Sequence, residues 1–210
     1  ALRCDRIGTS SMAFAGGIFR GEQLLIQGEL IYVFADPVTK TSQPVPAPLR
    51  AWIEAYEAGQ AVTQVATGDW ATLREAASAV RTAVFIEEQG IARADEWDEA
   101  DASAVHTVVR NPLGQPLATG RLLREGDADS GVSRIGRMAV LQPLRSAGVG
   151  RQVIHALEQA AHARGDREVV LSAQRSAEGF YRRLGYTPVG EPYMDVGIPH
   201  IGMRRALGLG

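Results

Sequence analysis

The run Arg145-Ser146-Ala147-Gly148-Val149-Gly150-Arg151 stands between an apolar strand-like segment, Met138-Ala139-Val140-Leu141, and a stretch with the periodicity of an amphipathic helix. Glycines at 148 and 150 let the backbone turn tightly and approach a ligand with no Cβ in the way. The first amides of a helix have no partner within it, and the macrodipole adds partial positive charge at that end. The combination suits a phosphate or pyrophosphate, to which Arg145 and Arg151 can add charge-assisted hydrogen bonds. The same spacing also suits a strand-to-helix turn that binds nothing. Two familiar phosphate loops are excluded: no Gly-Lys-Ser/Thr is present, and the three-glycine dinucleotide fingerprint with its later acidic residue is missing.

A second chemical segment runs from Gln174 to Tyr186. Phe180 and Leu184 share a helix face, which leaves Tyr181 off that stripe. Its phenol, with an ordinary pKa of about 10, is a proton donor at neutral pH or simply a tyrosine on a helix surface. His106 lies in the apolar run Val105-His106-Thr107-Val108-Val109, either as a proton acceptor or as a satisfied structural histidine. Glu87, Glu88, Asp98, Asp101 and His200 are the other groups able to take a proton. The acidic run from Asp95 to Asp101 reads as a solvated loop or as an attractor of a cationic amine. No His, Cys or carboxylate set has metal-ligand spacing, so no metal site is expected. Cys4 has no partner motif and reads as inert.

These residues need elements to hold them. Two strands, Ser10 to Arg20 and Gln23 to Asp36, turn at Arg20-Gly21-Glu22. Leu24, Ile26, Leu30, Tyr32 and Phe34 share one parity and predict a buried sheet face. Prolines from Pro37 to Pro48 predict an extended connector, followed by a short helix from Leu49 to Ala58. After Ala61 strands and helices alternate. Asp69 caps a helix carrying Trp70, Leu73, Ala77, Val80 and Val84. Strands follow at 105–110, 116–123 and 134–141, then a helix over 148–164 with Val149, Val153, Leu157 and Ala160 on one stripe. A strand at 169–173, a helix over 176–184 and two more strands, 187–196 and 201–205, complete the series. The expected division is a β segment over 1–48, a linker with a short helix over 49–60, and a main domain over 61–210.

Composition removes several classes. The 210 residues are 45% hydrophobic and 22% charged, with a formal net charge of −2, so no global basic field points to nucleic acid. No apolar run is long enough for a bilayer, and no secretory leader pattern opens the sequence. A single cysteine fits a reducing compartment, and the expected location is cytoplasmic. All basic residues but Lys40 are arginine, which reads as codon bias before phosphate chemistry.

Arg-x-x-Gly-x-Gly at 145–150 and Ala-x-x-Phe-Tyr-x-x-Leu-Gly-Tyr at 177–186 together resemble the acetyl-CoA-binding core of the GNAT acetyltransferase superfamily, over about residues 61 to 206. Val84-Phe85-Ile86-x-Glu88-Gln89, Glu96-Trp97-Asp98, Asp101, His106, Thr119-Gly120-Arg121 and Gly197-Ile198-Pro199-His200 resemble a bacterial subgroup of it. The resemblance implies an α+β fold: a mixed, splayed central sheet flanked by helices, here preceded by an antiparallel β fragment. It implies acetyl-CoA as cofactor and acetyl transfer to a small-molecule or peptide amine by direct attack. Met138, Ala139 and Val140 would meet the pantetheine arm. Arg145, Ser146, Ala147, Gly148, Val149, Gly150 and Arg151 would hold the pyrophosphate. Gln174, where the family often has Asn, and Phe180 would also touch the cofactor. Tyr181 would protonate the departing thiolate. Many members place a Glu on the strand before the phosphate loop; Arg134 and Arg137 stand in that region here, and His106 is carried as the base candidate. A homodimer is compatible with this reading, whereas nucleic acid and membrane are not expected partners.

Residues 1 to about 58, with Arg6-Ile7-Gly8-Thr9-Ser10-Ser11 and Asp36-Pro37 through Pro48, resemble the C-terminal part of a hotdog-fold acyl-CoA thioesterase. On that resemblance the segment is a remnant of a thioesterase–acetyltransferase fusion. Thioester hydrolysis by a full-length parent and a non-catalytic CoA-binding module are the alternatives to acetyl transfer.

Overall fold

A computed structural model describes residues 1–127 and 129–208, which divide into two units, Ala1–Thr63 and a second beginning at Gln64. In the first, β1 (Leu2–Ile7), β2 (Ser11–Arg20) and β3 (Gln23–Val33) form an antiparallel sheet in that order. The glycine of the expected hairpin turn, Gly21, has φ 59°. The proline-rich stretch is not an extended connector. The Asp36 carboxylate accepts from the amides of Val38 and Thr39, and the Gln43 amide donates to the Phe34 carbonyl, so the chain doubles back.

Helix α1 (Ala47–Glu57) starts at Ala47 rather than Leu49, because Pro48 fits a first helical turn that needs no amide from it. Arg50 donates to the Ile7 carbonyl at 3.1 Å, and Glu57 accepts from the Cys4 amide at 2.7 Å. The short helix expected over 49–58 is thus present and belongs to the first unit. It packs beside β1, at the far edge of the sheet from β3. The predicted buried parity of β3 fails for that reason: Leu24, Ile26, Leu30 and Tyr32 are exposed, as are Leu25 and Ile31 between them.

The second unit has a seven-stranded sheet with order β4-β5-β6-β7-β8-β10-β9. The strands are β4 (Gln64–Gly68), β5 (Val105–Arg110), β6 (Pro116–Arg124), β7 (Val132–Val140), β8 (Glu168–Gln174), β9 (Thr187–Asp195) and β10 (Ile198–Ala206). Every neighbouring pair is antiparallel except β7 and β8, which the crossover helix α4 (Val149–Ala163) makes parallel. Between β4 and β5 lie α2 (Trp70–Arg81), one π-helical segment (Thr82–Glu88) and α3 (Arg93–Glu96); α5 (Glu178–Arg183) follows β8. Asp69 caps α2 as expected, its carboxylate accepting from the Thr72 amide at 2.9 Å. The helix expected to continue through Val84 instead widens into π geometry after Arg81.

The sheet is covered on both faces. Leu73 and Ala77 of α2 pack with Val108 on one, while Val153 and Leu157 of α4 pack with Val109, Leu122 and Ile135 on the other. β7 changes sides between these layers. Ile135 belongs to the α4 core, yet Ala139, four residues on, packs with Val80, Val84 and Phe85. Strict alternation would keep both on one face. The inversion comes from a bulge: Thr119 pairs with Ala139 and Arg121 with Gly136, so Arg137 and Met138 share the place opposite Gly120. Arg137 takes φ 50° there. Among the described residues no helix is long and apolar enough to cross a membrane.

Gly120 sits where α4 presses on the bulge. A Cβ at that position would stand 2.7 Å from Met138 Sδ, 2.8 Å from Val153 Cγ1 and 2.9 Å from Leu157 Cδ1. Gly120→Ala is therefore expected to overpack the core and lower stability by about 1–3 kcal/mol, read from a shifted midpoint in urea unfolding.

Candidate active site

The parallel ladder between β7 and β8 runs only from Val132–Glu168 to Ile135–Leu171. Beyond it the strands continue unpaired with each other, and β7 from Gly136 to Val140 has no strand on its β8 side, where the Val140 carbonyl accepts from Arg145 instead. A cavity of about 800 Å3 opens there, walled by residues of the second unit alone. Its floor is Ile135 and Leu171, and one flank is the loop into α4. Ser146 and Gly148 in that loop have φ 72° and 81°, and no side chain caps the first turn of α4. The helix amides are left available to an anion. Gly150 meets the opposite demand: a Cβ would lie 3.3 Å from Val140 and 3.4 Å from the Phe180 ring, so glycine lets α4 close on the strand.

Of the residues expected at a cofactor, Met138, Val140, Arg145, Ser146, Gly148, Gly150, Arg151, Gln174 and Phe180 line this cavity. Ala139, Ala147 and Val149 do not. Ala139 is turned by the bulge into the α2-side core, and Val149 is buried with the α4 core. Arg145 is engaged by Glu88 at 2.7 Å and by the Val140 carbonyl at 3.2 Å, bracing the loop. Gln174 donates to Gln89 Oε1 at 3.1 Å, tying the end of β8 to the segment after the π-helix.

Tyr181 lines the cavity and is 7% exposed, edge-on to Phe180 and Tyr186. Burial pushes its phenol well above the usual range, so it holds its proton throughout the working pH. His106 is a correction. Its side chain lies outside the cavity, 1% exposed, with Nε2 donating to the Asp101 carbonyl at 2.9 Å and the ring against Trp70. Burial holds its pKa below the ordinary imidazole value.

The acidic run is not a solvated loop. Glu96 and Asp101 are buried, as is Arg81, which pairs with both and lies over the ring of Trp97. Arg121 bridges Asp98 and Asp101 at 2.5 and 2.8 Å. Arg137, the bulge residue, donates to the Glu96 carbonyl at 3.1 Å and to Asp98 at 3.0 Å. The sign of this network in the sequence is Arg121, one charge inside the apolar run Leu117 to Leu123. Arg121 hydrogen bonds hold the Asp98 carboxyl below its usual range. Burial opposes ionisation of Asp101, but hydrogen bonds from Arg81 and Arg121 outweigh it and hold that carboxyl low too.

Comparison with known proteins agrees with this geometry. The family described as acetyltransferase (GNAT) domain matches residues 75–207. The uncharacterised N-acetyltransferase YjcF of Bacillus subtilis is 36% identical over 127 residues, covering 60% of this chain and 87% of that protein. The crystal structure of Escherichia coli ElaA, 31% identical, superposes with TM-score 0.60 over 68% of this chain and 99% of its own. An acyl-CoA N-acyltransferase from Pseudomonas aeruginosa, 34% identical, does so with TM-score 0.59 over 69% and 99%.

The network sets an acid limit. At His106, Asp98 and Asp101 the native pKa lies below the ordinary one, so the native state binds fewer protons at these groups than the unfolded chain; burial raises the Glu96 carboxyl, which works against them. Their stabilisation is complete above the ordinary values. It is expected to decline first below about pH 6.5, as His106 is forced to charge, and again below about pH 4, as the carboxylates protonate. Thermal midpoints measured from pH 8 to pH 3 should fall in that order, with the lower phase reduced in Asp98→Asn.

Proposed function

The chain belongs to the GNAT acetyltransferase family and is an acyltransferase, and from that premise we propose that it transfers an acetyl group from acetyl-CoA to a primary amine by direct attack. One observation carries the reading: where the β7–β8 ladder ends, a strand edge with no neighbouring strand, an uncapped helix N-terminus and a protonated tyrosine face one cavity.

The residues present fit a CoA thioester. Amides of the 146–151 loop and α4 would hold the pyrophosphate, with Arg151 and Arg183 on the same wall. The β8-side edge of Met138 to Val140 would take the pantetheine amides. When bound, the thioester supplies the activated acyl carbon. Tyr181 is the proton donor for the leaving sulfur: its phenol is neutral, and in the described structure its hydroxyl makes no hydrogen bond that would divert it. Arg134 and Arg137 supply no base, being arginines paired to Glu125 and Asp98. The three-stranded sheet of the first unit supports reading it as the hotdog-like segment, without a part in the transfer.

Acetyl-CoA consumption against a panel of primary amines tests the proposal. Transfer to an amine is expected; thioester cleavage that ignores the acceptor, or binding without turnover, would replace it with the hydrolase or binding-module readings. Tyr181→Phe keeps the ring and removes the hydroxyl, so kcat should fall about 10²–10⁴-fold with acetyl-CoA affinity near normal. Gly148→Glu puts a carboxylate, and a side chain at φ 81°, at the mouth of the anion site. It should remove CoA binding in calorimetry.

A further inference from the structure

His200 is the second histidine to consider, and it sits where His106 does not. It is 9% exposed and lines the cavity at the end of β10, paired in register with Gln174 of β8. Its neighbours Ile201 and Met203 alternate into the α4 core at Ile201 and Met203, so His200 projects to the opposite face of the sheet, the face of Ser172 and Gln174. Tyr181 packs with the α4 core. The two groups therefore reach the cavity from opposite sides of the sheet.

The tautomer follows from one contact. Nδ1 lies 2.8 Å from the Ile198 carbonyl, which can only accept, so Nδ1 carries the hydrogen. Neutral imidazole then has its lone pair on Nε2. Among the described residues no hydrogen bond engages Nε2. The ring is further fixed by stacking on Tyr193, whose hydroxyl is hydrogen-bonded to Ser172. Of the carboxylates that share the cavity, Glu96 has Arg81 on one oxygen and Arg137 3.5 Å from the other.

We propose that His200 Nε2 is the group that takes the proton from the acceptor ammonium. The assignment rests on the acetyl-transfer reading. The acceptor nitrogen gives up two protons in all. One goes to Nε2 and from there to water, which frees the lone pair to attack. As the C–N bond forms and the C–S bond breaks, the other ends on the CoA sulfur through Tyr181. Uptake occurs on one face of the sheet and delivery on the other, with the reacting carbon between them. Other charged or titratable groups facing His200 or its end of the cavity are Tyr193 and Asp195 of β9, Arg134 and Arg137 of β7, and Asp95 and Glu96 of α3.

Two measurements test this. Nitrogen NMR of the free wild-type protein should show His200 protonated at Nδ1 and bare at Nε2, and its titration should coincide with the acidic limb of kcat/KM. A protonated Nε2 in the neutral ring, or a titration that does not match that limb, overturns the assignment even if no variant folds. His200→Asn keeps an N–H in the place of Nδ1 and deletes Nε2. With a confirmed amine its kcat/KM should fall about 10²–10⁴-fold near neutrality and recover as pH approaches the amine's own pKa, with CoA affinity unchanged. A wild-type pH profile in this variant, or a loss equal at every pH, overturns the proposal while leaving acetyl transfer in place. Failure of the wild type with every amine overturns the transfer reading itself, and the base with it.

Discussion

The cavity of this unit depends on the parallel ladder of β7 and β8 stopping at Ile135–Leu171 while both strands run on. A strand edge inside a sheet normally has its amides and carbonyls paired, because leaving them dry costs free energy comparable to a lost hydrogen bond. Here the edge opens into a cavity, where solvent or a ligand with peptide-like groups can satisfy it. The bulge produces this. One extra residue at Arg137 and Met138 bends β7 and increases its local twist. It also inverts the side-chain alternation, sending Ala139 to one core and Met138 with Val140 to the other. The crossover through α4 then delivers a helix N-terminus to the opening, since a parallel neighbour requires a connection on one face.

The bulge is held from the other side. A non-glycine residue at φ 50° costs on the order of 1–3 kcal/mol and persists only where its surroundings over-determine it. Arg137 is held by the Glu96 carbonyl and by Asp98, which Arg121 also grips, while Arg81 clamps Glu96 and Asp101 beneath the Trp97 ring. Replacing such a buried set by apolar residues is often neutral for stability, but removing one member strands a charge. Its value here is geometric: carboxylates from α3 and the following turn fix arginines from three elements, α2, β6 and β7. His106 belongs to this scaffold, joining β5 to the Asp101 carbonyl and to Trp70.

The strand-to-helix turn into α4 was legible because glycines, a strand and an amphipathic stripe are local features; Gly148, Gly150 and Val153 sit as their spacing implies. Local spacing misplaced Tyr181: the Phe180–Leu184 stripe set it off the core, yet it is buried with the α4 core while Phe180 and Leu184 are only partly buried. What escaped were features created by pairing between distant segments. The bulge is invisible in Arg134 to Val140, because an inverted alternation reads as a normal one when half its residues are small or charged. The fate of the acidic run depended on arginines 15 to 41 residues away, so a loop was the natural local reading. The same limit explains the two histidines: both lie among apolar neighbours, and only strand order decides which ring reaches the cavity. In the first unit, period-2 apolar spacing in β3 predicts a strand correctly, but burial depends on what covers it, and α1 lies at the other edge.

The sheet thereby separates two tasks that a single pocket would entangle. Of the residues that would hold CoA, Tyr181 is buried in the α4 core, and the exposed loop from Ser146 to Gly148 leads into the uncapped first turn of α4. Residues that would meet the acceptor, Arg137 and His200, are anchored in the carboxylate network and the β9–β10 hairpin. Substitutions at positions of the two sets that share no partner are expected to combine additively. Acceptor choice can then change through α3, the 89–92 turn and the β9–β10 turn without disturbing the thioester site. On the proposed reading both sets meet at the reacting carbon, beside the end of the β7–β8 ladder.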